Sequence, residues 1–207
     1  AYFARDRQAV GATLTVTAGD EFGASPPLAA YFNEEPAVRA LNLMGVRANT
    51  FGNHNFDRGV GHLQSMIDLQ TYQNVSTNLN NVPANLTGVV VPFHLIDVGL
   101  VKVGVVGITN TDAASLVAPG RMGTITVDDL TTSANKANAA RAAAQAAGAH
   151  VVIALVHMGA TLRSADGGVS GPLVDFAGML NGFAVVIGDH TDLRFEARIN
   201  GQLVVEN

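Results

Sequence analysis

Six residues of metal-binding type stand just after predicted strands, at a comparable place in each: Asp20, Asn53, His54, His157, His190 and Asp192. Taken singly, such residues are more often turn formers or solvated side chains than ligands. Strands of an open α/β sheet present their carboxyl ends at a shared edge, so we expect these side chains to meet there. Carboxylate and amide oxygens and imidazole nitrogens are all ligands of divalent ions, and a carboxylate can bridge two ions. The pattern therefore predicts a metal site.

The composition favours a folded domain that handles small molecules. The chain has 207 residues, of which 48% are hydrophobic and 14% charged, enough apolar material for a core. Its net charge of −5 argues against a nucleic-acid partner bound by phosphate neutralisation, whereas bound metal ions would still permit a small anionic substrate. There is no cysteine, which excludes disulfides and thiolate metal sites, and no apolar run is long enough for a membrane span.

The elements that must position these residues alternate between helix and strand. Helices are predicted at 1–10, 34–44, 57–69, 127–147 and 172–180, the third of them capped by Asp57. Strands are predicted at 13–18, 46–50, 74–79, 89–98, 101–108, 151–156, 184–187, 194–199 and 203–205. Bends at Gly99 and at Asn200–Gly201 make two hairpins. Several strands are continuously apolar, so the pattern predicts an α/β fold with buried sheets that the hairpins make mixed.

One segment carries a specific resemblance. Residues 52–57, Gly-Asn-His-Asn-Phe-Asp, resemble the signature of the 5′-nucleotidase family of calcineurin-like metallophosphoesterases, in which Glu usually stands at the place of Asn55. Further stretches match that family in the same order: 17–25 its second metal motif, 76–79 and 103–109 two structural segments, and 156–159 and 188–192 its two histidine motifs. The resemblance covers nearly the whole chain. It implies a four-layer αββα sandwich of two mixed β-sheets flanked by helices.

The resemblance also implies roles for individual residues. Asp20 would bridge two metals, and one site would be completed by Asn53, His157 and His190. His54 would be the catalytic histidine, with Asp57 orienting its ring; the spacing agrees, since an Asp three residues on can reach an imidazole. Asp192 stands where the family usually has His or another polar residue, so it is either a further metal ligand or a solvated turn residue.

The implied activity is metal-dependent hydrolysis of a phosphoester, with a 5′-nucleotide or related phosphorylated metabolite as substrate. Two divalent ions are expected, drawn from Mn, Zn, Fe or Co, since the ligand set does not select among them. No nucleic-acid partner and no membrane span are expected. The resemblance favours a periplasmic, cell-surface or extracellular location.

Two departures from the family leave an alternative open. The family's first motif, Asp-x-His on an N-terminal strand, is not found, so residues 1–207 are expected to be a partial catalytic domain lacking that strand. The family's C-terminal substrate-binding domain is likewise expected to lie outside residues 1–207. The missing motif, Asn55 and Asp192 favour a rival reading as a non-catalytic binding or structural domain with a degenerate single-metal site.

Overall fold

Short helices alternate with strands along the computed structural model, which describes residues 2–164 and 168–206. The helices are α1 (Tyr2–Val10), α2 (Pro27–Tyr31), α3 (Glu35–Met44), α4 (Val60–Leu69), α5 (Ala113–Leu116), α6 (Leu130–Ala146) and α7 (Pro172–Met179). Their ends follow local chemistry. The Asp129 side chain accepts a hydrogen bond from the Thr132 amide at the start of α6, and Gly45 ends α3 in a left-handed conformation.

The strands form two main sheets and two small pairs. In chain order they are β1 (Val16–Thr17), β2 (Ala48–Asn49), β3 (Gln73–Val75), β4 (Leu79–Asn80), β5 (Val90–Val91), β6 (Phe93–Val98), β7 (Val101–Ile108), β8 (Thr126–Val127), β9 (Val151–Val156), β10 (Leu162–Arg163), β11 (Val169–Ser170), β12 (Val185–Gly188), β13 (Phe195–Ile199) and β14 (Gln202–Glu206). The smaller main sheet has the order β1-β2-β3-β5 and is parallel throughout. The larger has the order β13-β14-β12-β9-β7-β6. Both predicted hairpins, β6–β7 and β13–β14, lie in the larger sheet, so that sheet alone is mixed.

Four layers follow from the burial of these elements. Strand β7 shows the principle: Val103 and Val105 pack between the sheets with Val75, while Val106 and Ile108 face the alanines of α6. This two-residue alternation, buried on both faces, explains why the strand is continuously apolar. Helices α3 and α4 cover the outer face of the smaller sheet, and α6 and α7 cover that of the larger. The predicted αββα arrangement is confirmed.

The two sheets approach each other closely at Gly107. A Cβ atom at Gly107 would lie 2.0 Å from the carbonyl oxygen of Val75, and the Thr77 amide donates to the Gly107 carbonyl at 2.8 Å. A backbone-to-backbone contact of this kind leaves no room for a side chain.

Three sequence predictions about local structure are wrong. The run 74–79 is not one strand, because residues 76–78 leave the smaller sheet and β4 pairs with β8 instead. The run 89–98 divides at Pro92, which has no N–H to offer a ladder, into β5 and β6 in different sheets. Asp57 does not cap α4: a 3₁₀ turn (His54–Phe56) ends at Asp57, and α4 begins after Gly59.

Within the described residues, no helix has the length and apolar character needed to cross a bilayer.

Candidate metal centre

The candidate site lies where strands of both sheets end. Asp20 follows β1 and Asn53 follows β2, both in the smaller sheet, whereas His157 follows β9 and His190 follows β12 in the larger. A cavity of about 560 Å³ opens there, and its walls include Asp20, Glu21, His54, His157, Asp189, His190 and Asp192. Loops from both sheets therefore contribute to one polar cavity, at the strand ends where the sequence placed it.

Three of the predicted ligands converge. Asp20, His157 and His190 each offer one ligand atom, and these atoms all lie within 4.8 Å of one another. His157 Nε2 is 2.9 Å from Asp20 Oδ2, and the two imidazole rings are 5.1 Å apart, centroid to centroid. Two donor atoms that share an ion at about 2.0–2.2 Å stand roughly 3 Å apart, so the spacing suits a cation between them.

The buried His157 is held in an orientation that suits a metal ligand. Its Nδ1–H donates to the Ala18 carbonyl oxygen at 2.8 Å, which turns the second ring nitrogen, Nε2, toward Asp20. Within the described chain Nε2 has no hydrogen-bond partner of good geometry. Burial alone would lower the pKa of His157, but the Asp20 carboxylate beside it outweighs burial and raises the pKa above its ordinary value. A backbone carbonyl behind a ligating imidazole is the usual way of fixing the tautomer in a metal site.

Asn53 has a side-chain oxygen that could also bind a metal ion. Asn53 is 3% exposed, and its Oδ1 is buried without a hydrogen-bond partner among the described residues. Leaving a buried acceptor unpaired costs about 1–3 kcal/mol, so such an atom calls for a ligand. The preceding residue, Gly52, lies against the cluster: a Cβ there would be 2.1 Å from Asp20 Oδ1 and 2.5 Å from His157 Cε1. An amide oxygen fits a hard divalent ion.

The loop after β12 has an unusual backbone that hydrogen bonds hold in place. His190 and Asp192 in this loop have φ values of 101° and 55°, which are unusual for residues with side chains. Asp20, in the loop after β1, has a similar φ of 58°. Thr191, between His190 and Asp192, donates its N–H to the buried Glu206 Oε1 at 3.1 Å.

Burial, and then the charge of His157, lower the pKa of His190, which keeps its imidazole neutral and ready to ligate. Asp192 is exposed and lines the cavity, outside the cluster of three.

His54 and Asp57 form a hydrogen-bonded couple at the mouth of the cavity. His54 Nδ1 lies 2.7 Å from Asp57 Oδ2, and the same oxygen accepts the Ala24 N–H at 3.0 Å. The backbone N–H of His54 donates to Asp20 Oδ1 at 2.8 Å, so the couple is tied directly to the cluster of three. The His54 side chain is 41% exposed and lines the cavity, which leaves its Nε2 edge available to a bound molecule.

Sequence reasoning missed the part played by Glu21 and Asn55. The Asn55 Oδ1 accepts from the amides of Asp20 and Gly52 at 3.1 and 2.7 Å, so this side chain fastens the two metal-motif loops together. Its Nδ2 donates to Glu21 Oε2 at 3.4 Å, while Glu21 Oε1 is buried without a partner in the described chain. Burial raises the pKa of Glu21 to about 7. The sequence signal was Asn55 itself, where the family usually has Glu. An amide can donate a hydrogen bond to the Glu21 carboxylate, whereas an ionised Glu at this position could not.

The sequence of this chain is similar to those of known hydrolytic enzymes. The chain is 28% identical to snake venom 5′-nucleotidase of Gloydius brevicauda over 187 residues, which is 86% of this chain and 28% of that protein. It is 26% identical to endonuclease YhcR of Bacillus subtilis over 206 residues, which is 94% of this chain and 16% of that protein. The chain thus spans less than a third of either relative. No family model matches it.

The fold is that of a known class. The crystal structure of the calcineurin-like phosphoesterase YfkN from Bacillus subtilis superposes with a TM-score of 0.77 at 22% identity, covering 99% of this chain and 70% of that one. The architecture is therefore that of the calcineurin-like phosphoesterases. Together with the sequence relatives, this similarity supports the predicted resemblance to the 5′-nucleotidase family of metallophosphoesterases.

Proposed function

We propose that this chain is part of the catalytic domain of a metal-dependent phosphoester hydrolase that acts on 5′-nucleotides or related phosphorylated metabolites. The observation that carries the proposal is the convergence of Asp20, His157 and His190, with unpaired buried donor atoms on His157 and Asn53. The sequence relatives support phosphoester hydrolysis. Because each relative is far longer than this chain, the substrate stays a proposal.

Asp20, Asn53, His157 and His190 would hold a divalent ion, and Asp192 would add a ligand on the exposed side of the cavity. The donors are oxygen and imidazole nitrogen, which fits Mn, Zn, Fe or Co. Two such ions, when bound, would polarise the phosphoryl oxygens and lower the pKa of a bound water. Asp20 is oriented for this work, since its Oδ1 accepts the His54 amide while its Oδ2 faces His157.

His54 would stabilise the negative charge that develops on the phosphoryl group or on the leaving oxygen. Its Nδ1–H is directed to Asp57, so Nε2 is the atom that meets the substrate. Protonated at Nε2, the ring would donate a charge-assisted hydrogen bond to the phosphoryl group or the leaving oxygen. Asp57 would hold the ring in place through the same 2.7 Å contact, while the Ala24 amide keeps its carboxylate oriented.

The relatives' names suggest both the location and one rival substrate. The venom enzyme supports a location outside the cytoplasm or at the surface. The endonuclease supports a phosphodiester substrate, although the net charge of −5 disfavours a polyanion bound mainly through its backbone. A non-catalytic domain with a single metal is the other alternative, since the cluster of three accounts for one ion only.

A single set of assays separates these possibilities. The longest native gene product that contains this chain is loaded with Mn²⁺ or Zn²⁺ and given AMP, bis(p-nitrophenyl) phosphate or linear DNA. The proposal expects phosphate release from AMP, abolished in Asp20→Asn together with bound metal and unchanged in the exposed control Asp175→Asn. Hydrolysis of the diester or DNA alone would support the endonuclease reading. Metal binding without hydrolysis of any substrate would refute the enzymatic proposal.

A further inference from the structure

Behind the metal-motif loop lies a buried acid–histidine pair that the proposed mechanism does not use. Glu34 is 2% exposed, and its Oε2 accepts from His62 Nε2 at 2.7 Å. His62 is itself only 12% exposed in its side chain. A carboxylate is seldom buried unless it is paired or accepts several hydrogen bonds.

The pair reaches the loop of residues 19–24, here called the Asp20 loop, at two adjacent points. Glu34 Oε1 accepts the Gly23 backbone N–H at 3.2 Å. The edge of the His62 ring meets Phe22, with centroids 6.3 Å apart and planes at 79°, and Phe22 is itself buried. Glu34 thus holds the loop's backbone, and His62 holds both Glu34 and the loop's one large apolar side chain.

From these points the contact continues to the proposed catalytic couple. Residue 24, next to Gly23, donates its N–H to Asp57 Oδ2, the oxygen that also binds His54. Gly23 lies directly against His54: a Cβ at Gly23 would stand 2.0 Å from the His54 carbonyl oxygen. Any shift of the loop at Gly23 therefore changes the position of Asp57 relative to His54.

The backbone at Glu34 shows that the side chain matters there. Glu34 has φ 67° and ψ 0°, a left-handed conformation at the N-terminal boundary of α3. Glycine adopts this conformation without the steric penalty that a side chain brings, so the chain carries a strained residue where glycine would be easier. Strain of this kind persists where the surrounding contacts hold it, here the bonds to His62 and Gly23.

We propose that Glu34 and His62 form a positioning pair that sets the Asp20 loop against the His54–Asp57 couple. Neither residue touches the cavity. Their contribution passes through Phe22, Gly23 and the Ala24 amide, and it fixes where the Asp57 carboxylate meets His54. The kinetic consequence rests on the proposed phosphoesterase function, whereas the effect on the loop does not.

The decisive variant is Glu34→Gly, because it removes the carboxylate while relieving the backbone strain. The proposal expects faster hydrogen exchange at the Ala24 amide, which bonds to Asp57 and not to Glu34. It also expects kcat on p-nitrophenyl phosphate to fall by about tenfold to a hundredfold with KM little changed, the scale of a displaced catalytic group. Metal content should stay at the wild-type level.

Two conservative variants and a matched control complete the test. Glu34→Gln keeps an acceptor for Gly23 and His62→Gln keeps a donor for Glu34, so each should restore most of the Ala24 protection and of kcat. Glu35→Gln changes the neighbouring exposed carboxylate, which pairs with Arg39, and should leave both readouts unchanged. Where Glu34→Gly does not fold, His62→Phe takes its place, since it keeps the ring against Phe22 and removes the donor to Glu34.

Contrary results are distinguishable. A lowered melting temperature with unchanged Ala24 exchange and unchanged kcat would show that the pair only stabilises the fold, and would overturn the proposal. If the wild-type protein hydrolyses no phosphoester, the proposed function fails. Ala24 exchange in the same variants still decides whether the pair positions the loop.

Discussion

The carboxyl group of Glu21, whose Oε1 is buried, should make the stability of the metal-free protein depend on pH. The perturbation is Glu21→Gln, which keeps the shape of the side chain and removes its charge. Glu21 Oε1 is shielded and has no side-chain partner in the described chain, and Oε2 accepts from Asn55 Nδ2 at a long 3.4 Å. Burial of this poorly compensated group raises its pKa from 4.5 to about 7.

The sign and size of the effect follow from linkage between protonation and folding. The folded pKa lies above the unfolded one, so the stabilising contribution of the neutral acid is fully present below pH 4.5. It is lost as the pH rises through 7, because the ionised form is disfavoured in the fold. Each pH unit between the two values is worth about 1.4 kcal/mol, giving about 3 kcal/mol as an upper limit. Local opening of the loop to water would reduce this figure.

The assay is urea unfolding of wild-type protein and Glu21→Gln at several pH values from 4.5 to 8, with EDTA present because a bound cation would itself lower the pKa of Glu21. The free energy of unfolding of the variant, relative to wild type, should rise with pH and level off above pH 7. Glu35→Gln serves as control, since its exposed ion pair with Arg39 is worth little. Parallel curves for Glu21→Gln and wild type across this range would refute the reasoning.

The remaining predictions concern catalysis, packing and metal affinity. His54→Ala should lower kcat by about 10²–10³-fold while metal content is kept, because His54 is assigned to charge stabilisation; loss of metal with normal turnover after resupply would contradict this. Gly107→Ala should destabilise the fold by about 1–3 kcal/mol or more in urea unfolding, since its Cβ would meet the Val75 carbonyl. Gly178→Ala in α7 has open space around its Cβ and should stabilise by about 0.5–1 kcal/mol, so equal effects at the two glycines would contradict the packing argument. Mn²⁺ affinity, measured by titration calorimetry, should fall as the pH drops through the raised pKa of His157, because a protonated ring cannot ligate; an affinity independent of pH between 5 and 8 would count against His157 as a ligand.

Strand-end reasoning predicted that the candidate metal residues share one edge, because it depends only on where strands stop. His157 and His190 are separated along the chain yet share one cavity, since the parallel neighbours β9 and β12 end at the same edge. The layers were also predictable from continuously apolar strands such as β7, which are buried on both faces.

What the sequence could not supply were contacts that depend on three-dimensional approach. Glu34 and His62 are 28 residues apart, and nothing in the local pattern shows that they meet. The break of the predicted strand 74–79 reflects a crossing between sheets, which outweighs β propensity. Asp57 was predicted to cap a helix and instead serves His54, because tertiary contact overrides a local capping preference.

The ligands of the candidate centre come from both sheets, which gives an ion there a mechanical role as well as a chemical one. Asp20 follows a strand of the smaller sheet, whereas His157 and His190 follow strands of the larger sheet. An ion bound by all three residues would cross-link the two sheets at the edge where their strands end. Binding at a hundred times the dissociation constant adds about 2.7 kcal/mol to the free energy of unfolding. The metal concentration in the surroundings would then set how often the two sheets separate, and so how fast proteases cut the protein.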